Sequence, residues 1–326
     1  MQMEALKFTK VRPGDILVFN YKLAPDNNAL ASINESILSE GITGTWVVPY
    51  KKFKVESITK SSSITLKVNV LDLSNLVVGS TFKLGKYQVE SETPWPIEWE
   101  IVHQTDDYQI AMTKQIIDCR CFDAKEPTNT DNNRKNYGNN NWQYSNIEQW
   151  LNSDKESWYS GQHQYDASPS SANVWNNYNP YDNHKGFLYH WSNEDKMLLK
   201  DYTLTLANHS VDGGGSYTWT GKVFLPTYTQ MGYGNNNNIS EGVQFSKFTD
   251  NANRIKSINK YCAENNKYCI DKNKTEGTNW YYWMSSVSPS FSGHVRGVDD
   301  GGSVTYNTAY NGNTGLAPCI CLPRNG

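Results

Sequence analysis

The stretch from residue 280 to residue 323 limits the possible folds of this chain more than any other. It opens on an aromatic block, Trp280-Tyr281-Tyr282-Trp283-Met284, which reads as a fully buried strand and breaks at Ser285-Ser286. A polar run follows, with turns at Gly293 and at Asp299-Asp300-Gly301-Gly302, and a second apolar strand closes it over residues 316–322. Val295, Val298 and then Val304-Thr305-Tyr306 fit two strands joined by the Asp-Asp-Gly-Gly turn. Asn, Tyr and Ser side chains therefore hang on short strands and loops held between two hydrophobic ones. Such an arrangement suits a recognition surface better than a catalytic centre.

The rest of the chain agrees with a β-rich reading. Its 326 residues include 11 Trp, 21 Tyr and 10 Phe, and rings combined with abundant amides suit binding through stacking and hydrogen bonds. A net charge of -3 gives no reason to expect nucleic acid or an anionic membrane as partner. No apolar run reaches membrane-spanning length, and the start lacks the basic-then-apolar order of a secretory signal.

Six cysteines are present. Cys119 and Cys121 are two apart, as are Cys319 and Cys321, so on strands each pair shares a face and all four could converge on zinc if the strands were neighbours. Cys262 and Cys269 could bridge under oxidising conditions. Cys-x-Cys is a weak metal signal, and reduced, buried thiols are the expectation adopted.

Taken in order, residues 1–83 read as a small β-domain that mounts or assembles the protein. Ile16–Phe19 is a short strand, residues 34–40 a short helix, 46–48 a strand, and 53–58 with 64–70 a hairpin. From residue 84 the texture changes. Strands are expected at 87–89, 97–102 and 108–113, the last two paired across residues 104–107. Ser145-Asn146-Ile147-Glu148 is a capping-box pattern, with Ile147, Trp150, Leu151 and Trp158 at helical spacing behind it. A second helix starts at Ser192, Val223-Phe224-Leu225-Pro226 is a brief strand, and Ile255, Ile258 and Tyr261 mark a third helix. The Asn-dense segment 123–141 and the run 235–238 read as polar loops. The expected fold class is α+β, with short antiparallel sheets, about three short helices and long loops.

This order of fragments, with Trp150-Leu151-Asn152, Trp283-Met284-Ser285-Ser286, Asp300-Gly301 and Leu316-Ala317-Pro318, resembles the C-type-lectin-like domains of bacterial and phage proteins. Those domains are related in fold to formylglycine-generating enzymes and to the variable proteins of diversity-generating retroelements. The resemblance covers residues 84–323. It implies that the first and last strands of that domain pair and that residues 288–314 display the ligand surface. The calcium-binding motifs of sugar-binding lectins are missing: Glu126-Pro127 is followed by Thr128 and lies in the wrong part of the chain, and Trp191-Ser192-Asn193 comes too early. No calcium site carries over, and Cys319 and Cys321 sit in an apolar strand, unlike the reactive pair of the sulfatase-modifying relatives.

No catalytic or cofactor motif stands out. The six histidines show no metal spacing. His184 and His190, with Asp182, could line a pocket, although ordinary hydrogen-bonded histidines are the plainer reading. Asp299 reads as a turn residue before a cation ligand. The candidate ligand-binding residues are His294, Arg296, Asp299, Tyr306, Asn307, Tyr310, Asn311 and Asn313, with no metal and no cofactor. The function expected from them is non-enzymatic. The chain reads as a structural protein of a phage or phage-tail-like particle with a lectin-like head that attaches to a host-surface glycan or protein. It would be assembled in the host cytoplasm, carried on the virion through residues 1–83, and self-associated as a homo-oligomer. Two other readings are a purely structural decoration protein and a thiol-dependent enzyme on the same fold.

Overall fold

The computed structural model of the chain describes residues 16–19, 51–59, 64–72, 76–88, 93–265 and 275–324. Within residues 16–72, β1 (Ile16–Phe19), β2 (Lys51–Thr59) and β3 (Ile64–Asp72) form an antiparallel three-stranded sheet in the order β1-β3-β2. The expected β2–β3 hairpin is therefore present. The expected strand at 46–48 and helix at 34–40 lie outside the described residues.

The remainder is an α+β fold of two five-stranded sheets and short helices. The first sheet has the order β10-β15-β6-β5-β4 and is antiparallel throughout, with β4 at Thr81–Tyr87, β5 at Trp95–Gln104, β6 at Tyr108–Thr113, β10 at Val223–Phe224 and β15 at Cys319–Pro323. The second has the order β13-β12-β11-β14-β7, with β7 at Asp118–Cys119, β11 at Tyr282–Val287, β12 at His294–Val298, β13 at Val304–Thr308 and β14 at Gly315–Leu316. A separate hairpin pairs β8 (Tyr202–Ala207) with β9 (Ser216–Gly221). The core is aromatic: Trp99, Trp142, Trp150, Tyr181, Tyr282 and Trp283 are all inaccessible to solvent. The indoles of Trp99, Trp150 and Trp283 donate to the backbone carbonyls of Leu84, Lys185 and Arg120, the last at 2.8 Å.

Several expectations are corrected. The apolar run at 316–322 is two strands in different sheets, because the chain changes sheet at Ala317-Pro318, where proline withholds a ladder donor. The first and last strands do not pair: β15 bonds to β6 and β10, while β4 stands beyond β5. Strand β4 starts at Thr81, and the Leu76 carbonyl accepts from Gln104.

The capping-box helix begins as expected, with Ser145 accepting from the Glu148 amide, but spans only Asn146–Leu151. Asn152 ends it, its side-chain oxygen accepting from the amides of Lys222 and Val223 and its nitrogen donating to the carbonyls of Glu148 and Val223. Trp158, expected on that helix, stacks instead on Tyr181. The third helix is two, Asn251–Arg254 and Lys260–Asn265.

The cysteines also divide differently. Cys119 is disulfide-bonded, whereas Cys121, Cys262, Cys319 and Cys321 are buried and outside any disulfide. A Cys262 bridge and an all-reduced set are both excluded. A four-thiolate zinc site fails too, since β7 and β15 belong to separate sheets.

Candidate functional site

Strands β12 and β13 pair with Arg296 opposite Tyr306 and His294 opposite Thr308. Side chains two apart on a strand share a face, so His294, Arg296, Tyr306 and Thr308 project together. His294 is the hub of a ring cluster. Its imidazole lies 4.9 Å from Phe291, 5.6 Å from Tyr306 and 6.0 Å from Tyr137, centroid to centroid. Tyr310 extends the cluster, 5.9 Å from Tyr137. The outer rings remain accessible: Tyr306 is 55% exposed, Phe291 44% and Tyr137 37%. Beside them the Arg296 guanidinium lies 5.0 Å over the Tyr228 ring, a cation–π contact that holds the charge flat against the surface. Burial lowers the His294 pKa below the usual imidazole value, so the ring is neutral at neutral pH.

The segment 123–146 holds this face in place. Helix α1 (Asn132–Tyr137) carries Tyr137, and Asp131 caps its N-terminus by accepting from the Arg134 amide. The Asp131 carboxylate also accepts from the Ser292 hydroxyl at 2.6 Å. Asn140, fully buried, donates its amide to the carbonyls of Phe291 (3.0 Å) and His294 (3.1 Å). Gly293 lets α1 approach, because a Cβ there would stand 2.8 Å from the Asn133 carbonyl oxygen and 3.0 Å from the Tyr137 Cβ.

Next to the face, and sharing α1 with it, is a cavity of about 620 Å³ lined by Asn129, Asp131, Arg134, Tyr144, His163 and Asp212 among others. Arg134 makes a two-pronged pair with Asp212, and the Glu126 carboxylate raises the pKa of His163 from 3.1 Å away. Among the described residues no group of three or more His, Cys, Asp or Glu is placed to hold a metal ion.

The eight residues singled out from sequence separate into two sets. His294, Arg296, Tyr306 and Tyr310 belong to the aromatic face. The other four are bonded to neighbouring backbone or side chains. Asp299 accepts from the amides of Gly301 and Ser303, as a turn residue does. Asn307 bonds Thr314 and the Thr308 amide, Asn311 is buried and accepts from the Asn313 amide, and Asn313 donates to the Tyr281 hydroxyl. These four make hydrogen bonds within the fold and stand outside the ring cluster. The contributors missed from sequence are Tyr137, Asn140, Tyr228 and Phe291. Phe291 alone carried a signal, an isolated ring in the polar turn Ser288-Pro289-Ser290-Phe291-Ser292.

A family model described as a domain of unknown function, DUF6273, matches residues 108–324. The chain belongs to the DUF6273 family. No curated protein and no solved structure matches the chain. The DUF6273 span runs from β6 to β15, and so contains the aromatic face, the segment behind it and the adjoining cavity. Strands β4 and β5 of the first sheet precede it.

The thiols of this DUF6273 domain do not suit nucleophilic work. Burial pushes Cys121, Cys262 and Cys319 far up and Cys321 to about 12, the opposite of thiolate activation.

Proposed function

We propose that this DUF6273 protein is a lectin-like attachment protein that holds a host-surface glycan or protein on the β12–β13 face. In this reading residues 1–83 mount it on a phage or phage-tail-like particle, and the C-type-lectin-like resemblance describes the head. The observation that carries the proposal is the ring cluster: three exposed rings around His294, beside a laid-down Arg296, on a face braced from behind by buried hydrogen bonds. Exposed aromatics on a rigid support bind with little loss of side-chain freedom. The disulfide at Cys119 supports work in an oxidising, extracellular setting.

The test is saturable binding of the full chain to bacterial cells and isolated wall glycans. Tyr306→Ala with Phe291→Ala should weaken binding about tenfold or more, the expected loss for two stacking rings. Unchanged binding by the double variant would remove the face from the function. If no surface is bound while particle assembly depends on the chain, the structural-decoration role takes its place.

A further inference from the structure

A second cavity, of about 370 Å³, lies apart from the aromatic face and shares no lining residue with it. Its lining includes Tyr87, Trp150, Asn183, His184, Lys185 and His190. The loop that forms it is clamped to the end of helix α2 (Asn146–Leu151). The Trp150 indole donates to the Lys185 carbonyl at 2.9 Å, the Gly186 amide to Lys155 and the Leu188 amide to Ser153. A Cβ on Gly186 would lie 2.3 Å from the Ser153 carbonyl oxygen, so the loop sits as close as a chain can. The cavity is preformed.

Its polarity is one-sided. The Tyr87 hydroxyl is turned inward to Asp118, which also pairs with the buried Arg120 at 2.8 Å. Arg120 in turn meets His184 Nδ1 at 3.2 Å. Arginine can only donate, so Nδ1 accepts, and the proton of this neutral imidazole sits on Nε2. Burial, then the nearby Arg120 charge, pushes the His184 pKa down to about 3. His190 is likewise lowered, by burial and then by Lys185 and Lys86, and its Nε2 has no hydrogen-bond partner. Among the described residues the carboxylate paired with Lys185 is the largely exposed Glu156, at 3.4 Å, a weak surface pair, and the ammonium lies 4.2 Å over the Tyr189 ring. None of the lining residues is acidic.

We propose that this cavity is a binding site for the carboxylate of a small organic acid, with Lys185 as counter-charge and His184 Nε2 and the Asn183 amide as donors, and D-glucuronate is the probe for it. One cation and two neutral imidazoles balance a single negative charge. A phosphate dianion would leave a charge uncompensated in a half-enclosed space, which is costly. Tyr87 and Trp150, packed edge to face at 5.8 Å, are the buried floor beneath these groups. The site stands independently of the attachment reading.

The experiment is calorimetric titration of the full chain at pH 7.5 with sodium D-glucuronate, D-glucose and D-glucose 6-phosphate. Glucuronate should bind one per chain, about tenfold or more tighter than either other sugar, as expected for one charge-assisted contact. It should also shift the imidazole proton resonances of His184 and His190. Lys185→Gln, checked for an unchanged melting temperature, should bring glucuronate down to the level of glucose, and Tyr306→Ala should leave it unaffected. Equal binding of glucose and glucuronate, tighter binding of the phosphate, no saturation by glucuronate, or an inert Lys185→Gln each overturns the site. Loss of glucuronate binding in Tyr306→Ala would assign the carboxylate to the β12–β13 face instead.

Discussion

On the outer face of the β12–β13 hairpin the accessible side chains are rings, whereas in the segment 123–146 bonded to it the inaccessible side chains are amides and carboxylates. Tyr306 and Phe291 lie open, while Asp123, Glu126, Asn139, Asn140 and Asn146 are at most 2% exposed. The reason is hydrogen-bond supply. Segment 123–146 runs largely without ladder partners, so its neighbours' carbonyls and amides are met by side chains instead. Asn146 donates to Asp166 and accepts from the Ala124 amide, and Asp123 accepts from the amides of Asn139 and Asn146. The hairpin has its ladder already and can spend its side chains outward. Polarity here marks scaffold, and apolar area marks the surface that meets a partner.

Four substitutions would break or sharpen that contrast. Gly293→Val places side-chain atoms where α1 packs and should cost about 3 kcal/mol of unfolding free energy. Denaturant unfolding would measure the loss, and binding through the ring face should fall with it. Asn140→Ala removes two buried bonds, leaving the Phe291 carbonyl with only the His294 amide and the His294 carbonyl with only the Ser288 amide, and should cost about 2 kcal/mol, seen as a lower melting temperature. A cost within 0.5 kcal/mol would mean that the face does not depend on the scaffold.

Glu148→Gln probes the edge of the buried polar region. Burial raises the Glu148 pKa from 4.5 to about 7, against the bond from Trp219. Between those values the unfolded chain releases a proton that the folded chain keeps, so this group makes stability fall as pH rises from 4.5 to 7. Glutamine removes that slope and keeps the acceptor used by Trp219 and Asn152. The variant should be more stable at pH 8, by about 1 kcal/mol after allowance for partial exposure, and equal to the parent at pH 4. Melts across that range decide it. Tyr306→Ala should change stability by about 0.5 kcal/mol or less, so any loss of binding is a loss of contact.

Much of the frame was legible in the sequence. Alternation with a clear turn marked the pairs β2–β3, β5–β6 and β12–β13, and Ser145 and Ser192 marked helix starts through a local bond that needs no tertiary partner. Endings failed, because Asn152 stops its helix by bonding to Lys222 and Val223, seventy residues on. The asparagine runs were misread for the same reason: Asn236, in the expected polar loop 235–238, is fully buried and donates to Glu241 and to the Val287 carbonyl. At the candidate site, alternation placed His294, Arg296 and Tyr306 on one face. Composition could not separate them from Asn307, Asn311 and Asn313, whose side chains bond within the fold. Tyr137 and Asn140 come from more than 150 residues earlier, a distance over which local pattern carries no information.

The change of sheet at Pro318 has a consequence for how the chain is made. Residues 315–316 join β11 to β7, and residues 319–323 fill the gap between β10 and β6. Both sheets therefore lack an interior strand until this one segment has left the ribosome. Until then β6 and β7 present open edges, and their partners lie some two hundred residues downstream, which makes closure slow. The nascent chain has to carry two unfinished sheets until residues 315–323 are made and then complete both in a single step, so its exposure to misassembly is high until those strands arrive.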